Sequence, residues 1–210
     1  MLPPTEYAVI MPLSQTTRDR IWLVWFCLQI PVILSDTLGV DAVDTYPAWL
    51  CADPGAPLHF LHTFRQWYVT TYNDPLMDWT PASGAAVGAG GPWMALFLWI
   101  EMAATLPIVL YSVYRFARLA TATAPSHAAA STTGPWELLL LVYAFETALT
   151  TAVCIHDVGY WSPAVYSEAD KNVFRYQLFG PYFAMPALLF VDMYSRLLAR
   201  FNVDSTKKTQ

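Results

Sequence analysis

Charge is what this 210-residue sequence has least of: 13% of its residues are Asp, Glu, Lys or Arg, where soluble domains carry roughly 25%. That scarcity excludes an ordinary water-facing surface. There is no basic run, and the net charge of −5 is dispersed, which excludes a nucleic-acid-binding face. Cysteine is also scarce. Cys27, Cys51 and Cys154 are an odd number without metal-ligand spacing, so neither a disulfide framework nor a zinc site is expected. Cys27 and Cys154 lie in apolar segments and read as small buried packing residues. Residues 1–20 have no basic segment leading into a short apolar core, so no cleavable signal peptide is read there. Ser/His/Asp constellations, phosphate-cradling glycine loops and metal-ligand clusters are missing as well. No cofactor and no metal is expected.

What the chain has instead is apolar length. It is 56% apolar, its mean hydropathy is positive, and four apolar segments emerge at about 21–40, 93–116, 136–155 and 176–198. Each approaches the ~20 residues that cross ~30 Å of hydrocarbon, and aromatics mark several ends. The expected fold is an all-α integral membrane protein: a four-transmembrane-helix bundle with a buried ligand cavity, over residues 21–200. A soluble helical bundle is the alternative, but soluble helices show a charged face and these do not. Pro31 is expected to interrupt the first segment.

Four crossings put both termini on one side, with Arg18, Arg20, Arg115, Arg118, Arg196, Arg200, Lys207 and Lys208; the other side holds Arg65, Lys171 and Arg175. The positive-inside rule makes residues 1–20 and the tail 201–210 cytosolic. The ending Lys207-Lys208-Thr209-Gln210 resembles a dilysine endoplasmic-reticulum retrieval signal, which requires a cytosolic C-terminus. Between the first two spans, residues 62–72 place Trp67, Tyr68 and Tyr72 at helical spacing, predicting a short helix over the mouth of the bundle. Asn73-Asp74-Pro75 should end it. Residues 82–91 read as a flexible Gly/Ala connector, and the Ala/Ser/Thr-rich stretch 117–135 as a mobile loop.

Acids inside apolar runs carry the functional argument. Glu101 lies roughly 12 Å below the end of its segment marked by Trp93, at 1.5 Å rise per residue. A charge at such depth costs ~2.5–3.5 kcal/mol on insertion scales and marks a functional site by default. Thr105, one turn on, is placed to hydrogen-bond it, and Pro107 then breaks the helix. Asp36 follows Pro31 near the end of the first segment. Asp74 precedes a proline, where turn chemistry competes with a site role. Glu146 sits mid-span, with Thr150 one turn on, and faces either lipid or cavity. Asp192 is different: Arg196 is one turn away near the cytosolic end, so the pair is expected to snorkel to the interface. His156-Asp157 reads as interfacial polarity rather than a proton relay.

Four motifs in chain order carry a resemblance: QIPVILSD (29–36), YNDPLM (72–77), WIEM with LP (99–102, 106–107) and FGPYFAMP (179–186). They resemble the sigma-2 receptor-like members of the EXPERA family, to which the emopamil-binding sterol isomerase is related. The resemblance implies an endoplasmic-reticulum protein whose membrane-buried pocket binds sterols and amphiphilic amines. It also implies that the family's paired pocket acids fall on Asp36 and Asp74, its second-span glutamate on Glu101, and a pocket-lining tyrosine on Tyr182. Gln29 stands in the neighbourhood where the sterol isomerase has histidine. Glu146 is an acid beyond the pattern.

Two functions follow as alternatives. In the first, Asp36, Asp74, Glu101, Thr105, Glu146 and Tyr182 bind a sterol or other hydrophobic small molecule for lipid handling. In the second, Glu101, Asp74 and Asp36, with Glu146 as a further candidate, serve as general acid and base in a cofactor-independent isomerase or cyclase. The expected partners are that ligand and the bilayer, with no nucleic acid; a homodimer is compatible with the sequence, which does not decide the oligomeric state. Replacing both Lys207 and Lys208 with serine is expected to release the protein from the endoplasmic reticulum. Fluorescence microscopy of tagged variants checks this, and equal retention of both proteins would reduce the tail to a solvated end.

Overall fold

A computed structural model describes residues 13–72, 74, 76, 93–121 and 132–207, and among them every regular element is a helix. Helix α1, Gln15–Ser35, begins where the Ser14 hydroxyl accepts the Thr17 N–H at 3.2 Å, the bond of an N-cap serine. It therefore starts ahead of residue 21, and Arg18, Asp19 and Arg20 lie within it. Pro31 does not interrupt it; the missing N–H only removes the helical donor of the Cys27 carbonyl. A π turn, Thr37–Asp41, follows. Helix α2, His59–Tyr72, is the expected aromatic helix and ends as expected at the Asn-Asp-Pro sequence.

The second apolar segment becomes α3, Trp93–Ile100, a π turn at Glu101–Thr105, and α4, Leu106–Thr121. Pro107 does not break the helix. It sits in the first turn of α4, where a missing N–H costs least, and the wider π turn ahead relieves the clash of its ring with the preceding turn. Helix α5, Gly134–Asp157, has Pro135 at its start. Helix α6, Glu168–Asn172, is held by a capping box between Ser167 and Asp170. A third π turn, Val173–Leu178, leads into α7, Phe179–Lys207, which runs through Pro186. The loop expected at 117–135 is shorter than that, because α4 extends to Thr121 and α5 begins at Gly134. Residues 1–12, Asn73 and Pro75, the 82–91 connector, residues 122–131 and the end of the lysine tail lie outside the described residues.

Three of these helical stretches, Gln15–Asp41, Leu96–Thr121 and Gly134–Tyr160, are long and apolar enough to cross a membrane. The chain is thus a helical membrane protein. Helix α7 is long enough too, but it carries Asp192, Arg196 and Arg200; the fourth crossing belongs to the proposal below.

The chain divides into two compact units, Met1–Trp25 with Ser112–Gln210, and Phe26–Tyr111. In the first, α5 packs along α7 and buries Leu140, Tyr143, Ala144, Leu189 and Met193. Lipid tails are as apolar as these side chains, so close packing and polar bonds between helices, rather than hydrophobicity alone, select this arrangement. Cys27 illustrates the point: it is exposed, and Cys51 is the buried cysteine. Hydropathy cannot separate a lipid-facing from a core-facing position.

The polar bonds of this unit form one network. The Arg196 guanidinium donates to Asp192 through Nε at 3.2 Å and Nη2 at 2.8 Å, and through Nη1 to Asp19 at 2.7 Å. Asp192 also accepts from Arg18 and, at 2.6 Å, from the Trp22 indole. Arg200 donates to both oxygens of Glu137, at 2.5 and 2.9 Å, and Thr132 donates to Glu137 as well. Asp192 and Arg196 therefore do pair, but both are buried within the protein and do not snorkel; charges supplied by α1 and α7 neutralise one another in place. Removing one member strands buried charge, a loss of about 3–5 kcal/mol. Arg196→Met is expected to lower the melting temperature of the detergent-solubilised protein markedly. Arg196→Lys should rescue it only in part, because one ammonium cannot reproduce the fork; an unchanged melting curve for Arg196→Met would show the network to be idle.

Candidate functional site

Three of the acids singled out from sequence, Asp36, Asp74 and Glu101, lie in the Phe26–Tyr111 unit, and Asp36 and Glu101 stand at its two π turns. A π turn inserts a residue into the helix and leaves carbonyls without their usual donors, a feature common at functional sites. After Asp36 the chain turns through Thr37–Asp41, with the N–H groups of Val40 and Asp41 both bonded to the Asp36 carbonyl, at 2.8 and 2.9 Å. The exposed carbonyls are met by side chains from farther along: the Tyr46 hydroxyl donates to Leu38 O at 3.2 Å, and Arg65 Nη1 donates to Val40 O at 3.2 Å. An arginine at a helix C-terminus also suits the helix dipole. Gly39 suits this close approach, since a Cβ would stand 3.1 Å from the Leu34 carbonyl oxygen.

Glu101 opens the second π turn. Thr37 Oγ1 donates to Glu101 Oε2 at 2.8 Å, which ties the two π turns together. This hydroxyl comes from another segment, whereas the expected partner was Thr105; Thr105 itself is buried at the end of the π turn. Asp74 is 3% exposed, and the turn chemistry expected of it is present. Its Oδ1 accepts the Leu76 N–H at 3.0 Å, an Asx turn, while Oδ2 accepts from the Tyr68 hydroxyl at 3.5 Å. Burial, and then the negative charge of Asp74, push the Tyr68 phenol well above its ordinary range, so Tyr68 stays a neutral donor.

Asp36 interacts electrostatically with Glu101 and Asp74, and Asp41 with all three of these acids and with Arg65. Two members of this group, Asp41 and Arg65, were not singled out from sequence. Arg65 is 3% exposed, and reads in the sequence as a loop cation. The available signal was spacing: Leu61, Arg65 and Tyr68 fall at i, i+4 and i+7 on one face of α2, beside the stripe of exposed Phe60, Phe64 and Trp67.

Glu146 and Tyr182 belong to the other unit. The Glu146 carboxylate accepts from Thr147 at 3.4 Å, whereas the Thr150 hydroxyl bonds the Glu146 backbone carbonyl at 3.1 Å. Tyr182 is half-buried, its ring 5.8 Å from that of Trp25, and its carbonyl accepts from Thr151 at 3.4 Å. At the end of α5, Asp157 accepts from the Trp161 indole at 3.0 Å.

Comparison with curated proteins finds no match. A family model, described as EXPERA (EXPanded EBP superfamily), matches residues 60–193. The match spans more than half of the chain and contains Arg65, Asp74, Glu101, Glu146 and Tyr182, while Asp36 and Asp41 precede it. By that match the chain belongs to the EXPERA family.

Proposed function

We propose that this protein resides in the endoplasmic-reticulum membrane, crosses it four times with both termini in the cytosol, and binds sterol-like or amphiphilic hydrophobic ligands at an acid-lined intramembrane site, in the service of lipid handling. The observation that carries the reading is the gathering of Asp36, Asp41, Asp74 and Glu101 in one unit, where Thr37 bonds Glu101, Arg65 bonds the Val40 carbonyl and Tyr68 bonds Asp74. Carboxylates crowded in a low-dielectric environment cannot all ionise; they share protons and retain negative charge that a ligand's ammonium can meet. Family membership is compatible with this reading, and the exposed aromatic surface of α2 supplies amphipathic rings suited to the membrane interface. Thr105, in the same unit, completes the proposed lining.

The second reading is an isomerase or cyclase, favoured by the same crowding. A protonated carboxyl next to an ionised one provides an acid and a base within one site. There Glu101 or Asp74 protonates an alkene or epoxide and the other carboxylate removes a proton elsewhere, leaving charge and atoms balanced without a cofactor.

Mass spectrometry of lipids co-purifying with wild type and with Asp74→Asn, before and after incubation with cell extract, separates the two. A sterol-like molecule retained by wild type, lost from the variant and chemically unchanged is the expected result. A product with a shifted double bond or new ring, made only by wild type, would establish the enzyme instead. For a cationic amphiphile, Glu101→Gln is expected to weaken binding at least tenfold, on the scale of one lost charge-assisted interaction. Equal affinity in a folded variant would remove Glu101 from the site.

A further inference from the structure

One buried polar group on the acid-bearing helix is not used by the contacts described above. Gln29 is 4% exposed, and its side-chain amide nitrogen is shielded from solvent with no hydrogen-bond partner. An unpaired buried donor is expensive and rare in folded proteins, and each instance calls for an explanation. Its position supplies one. Gln29, Ile33 and Asp36 are spaced i, i+4 and i+7, which places them on one face of α1; Ile33 is buried. The face that ends in the carboxylate therefore begins with a free donor and is apolar in between.

We propose that Gln29 is a second recognition point for the ligand, its amide donating to a ligand oxygen while the acid cluster meets the ligand's cation. This rests on the binding reading above and sharpens it to a ligand class. Seven residues of helix separate the two points by about 10 Å. The ligand is thus an amphiphile with a protonated amine at one end and a ketone, ether or hydroxyl oxygen about 10 Å along its apolar body. Carboxylates alone select any lipophilic cation. A buried donor selects among them, because an analogue without the oxygen leaves it unpaired.

The test uses the full chain in detergent and two dimethylalkylamines of equal length, one bearing a ketone about 10 Å from its nitrogen. Equilibrium binding to wild type is expected to favour the ketone about tenfold, the scale of one net hydrogen bond to an otherwise unpaired donor. In Gln29→Leu and Gln29→Met the ketone's affinity should fall to that of the plain amine. Moving the ketone to about 5 Å from the nitrogen should abolish the preference in wild type, a measurement that needs no variant to fold. A preference that survives in the Gln29 variants, or is absent from wild type, overturns the assignment. If the plain amine binds and is lost in Glu101→Gln while no ketone preference exists, only Gln29 falls. If neither amine binds wild type, the acid-site reading falls with it.

Discussion

A carboxylate within an apolar helix must find a proton, a donor or a cation, because hydrocarbon offers none of these. That constraint accounts for most of what is specific in this molecule. Each unit meets it in its own way. In the unit containing α5 and α7, Asp19, Asp192 and Glu137 are matched by Arg18, Arg196 and Arg200, with the Trp22 indole and the Thr132 hydroxyl filling remaining acceptor positions. Charge is neutralised internally, and the result is a structural fastening. In the other unit four acids gather around a single described arginine, with threonine and tyrosine hydroxyls as donors. Acidic groups outnumber cations among the described residues there. An excess of one sign is what a binding or proton-transfer site requires, and a balanced network is what a scaffold requires.

The π turns connect backbone to chemistry. Two of the three carry or adjoin the acids, and in each the distorted ladder brings side chains to bear on a small region. The Thr37–Glu101 hydrogen bond joins these two turns. Arg65 and Tyr46 satisfy the carbonyls that the first leaves open. Helix α2 takes part in this arrangement. Its inward face delivers Arg65 and Tyr68 to the acids, and its outward face presents Phe60, Phe64 and Trp67.

Several readings of the sequence survive in altered form because one physical quantity was misapplied. Prolines 31 and 107 read as breaks under the rule for helix interiors, yet both lie in continuous helical stretches: Pro107 follows a wider π turn in the first turn of α4, and Pro31 costs α1 the donor to the Cys27 carbonyl without ending it. Asp192 and Arg196 read as a snorkelling pair from their spacing, but spacing does not reveal that Asp19 and Arg18 wait on another helix to bury them. Cys27 reads as core because it is apolar, and it is exposed.

Composition and periodicity by themselves determined the class: a helical membrane protein, the places of its apolar stretches, an aromatic helix within 62–72, and the anomaly of Asp36, Asp74 and Glu101, because hydropathy and the cost of buried charge are local properties of the chain. Which faces turn inward was decided only by tertiary structure, because in an apolar helix every face is equally suited to lipid. The same holds for the partners. Thr37 for Glu101, Arg65 for the acid group and Arg196 for Asp19 are separated along the chain by distances that no local rule spans, and their pairing arises only when the helices pack.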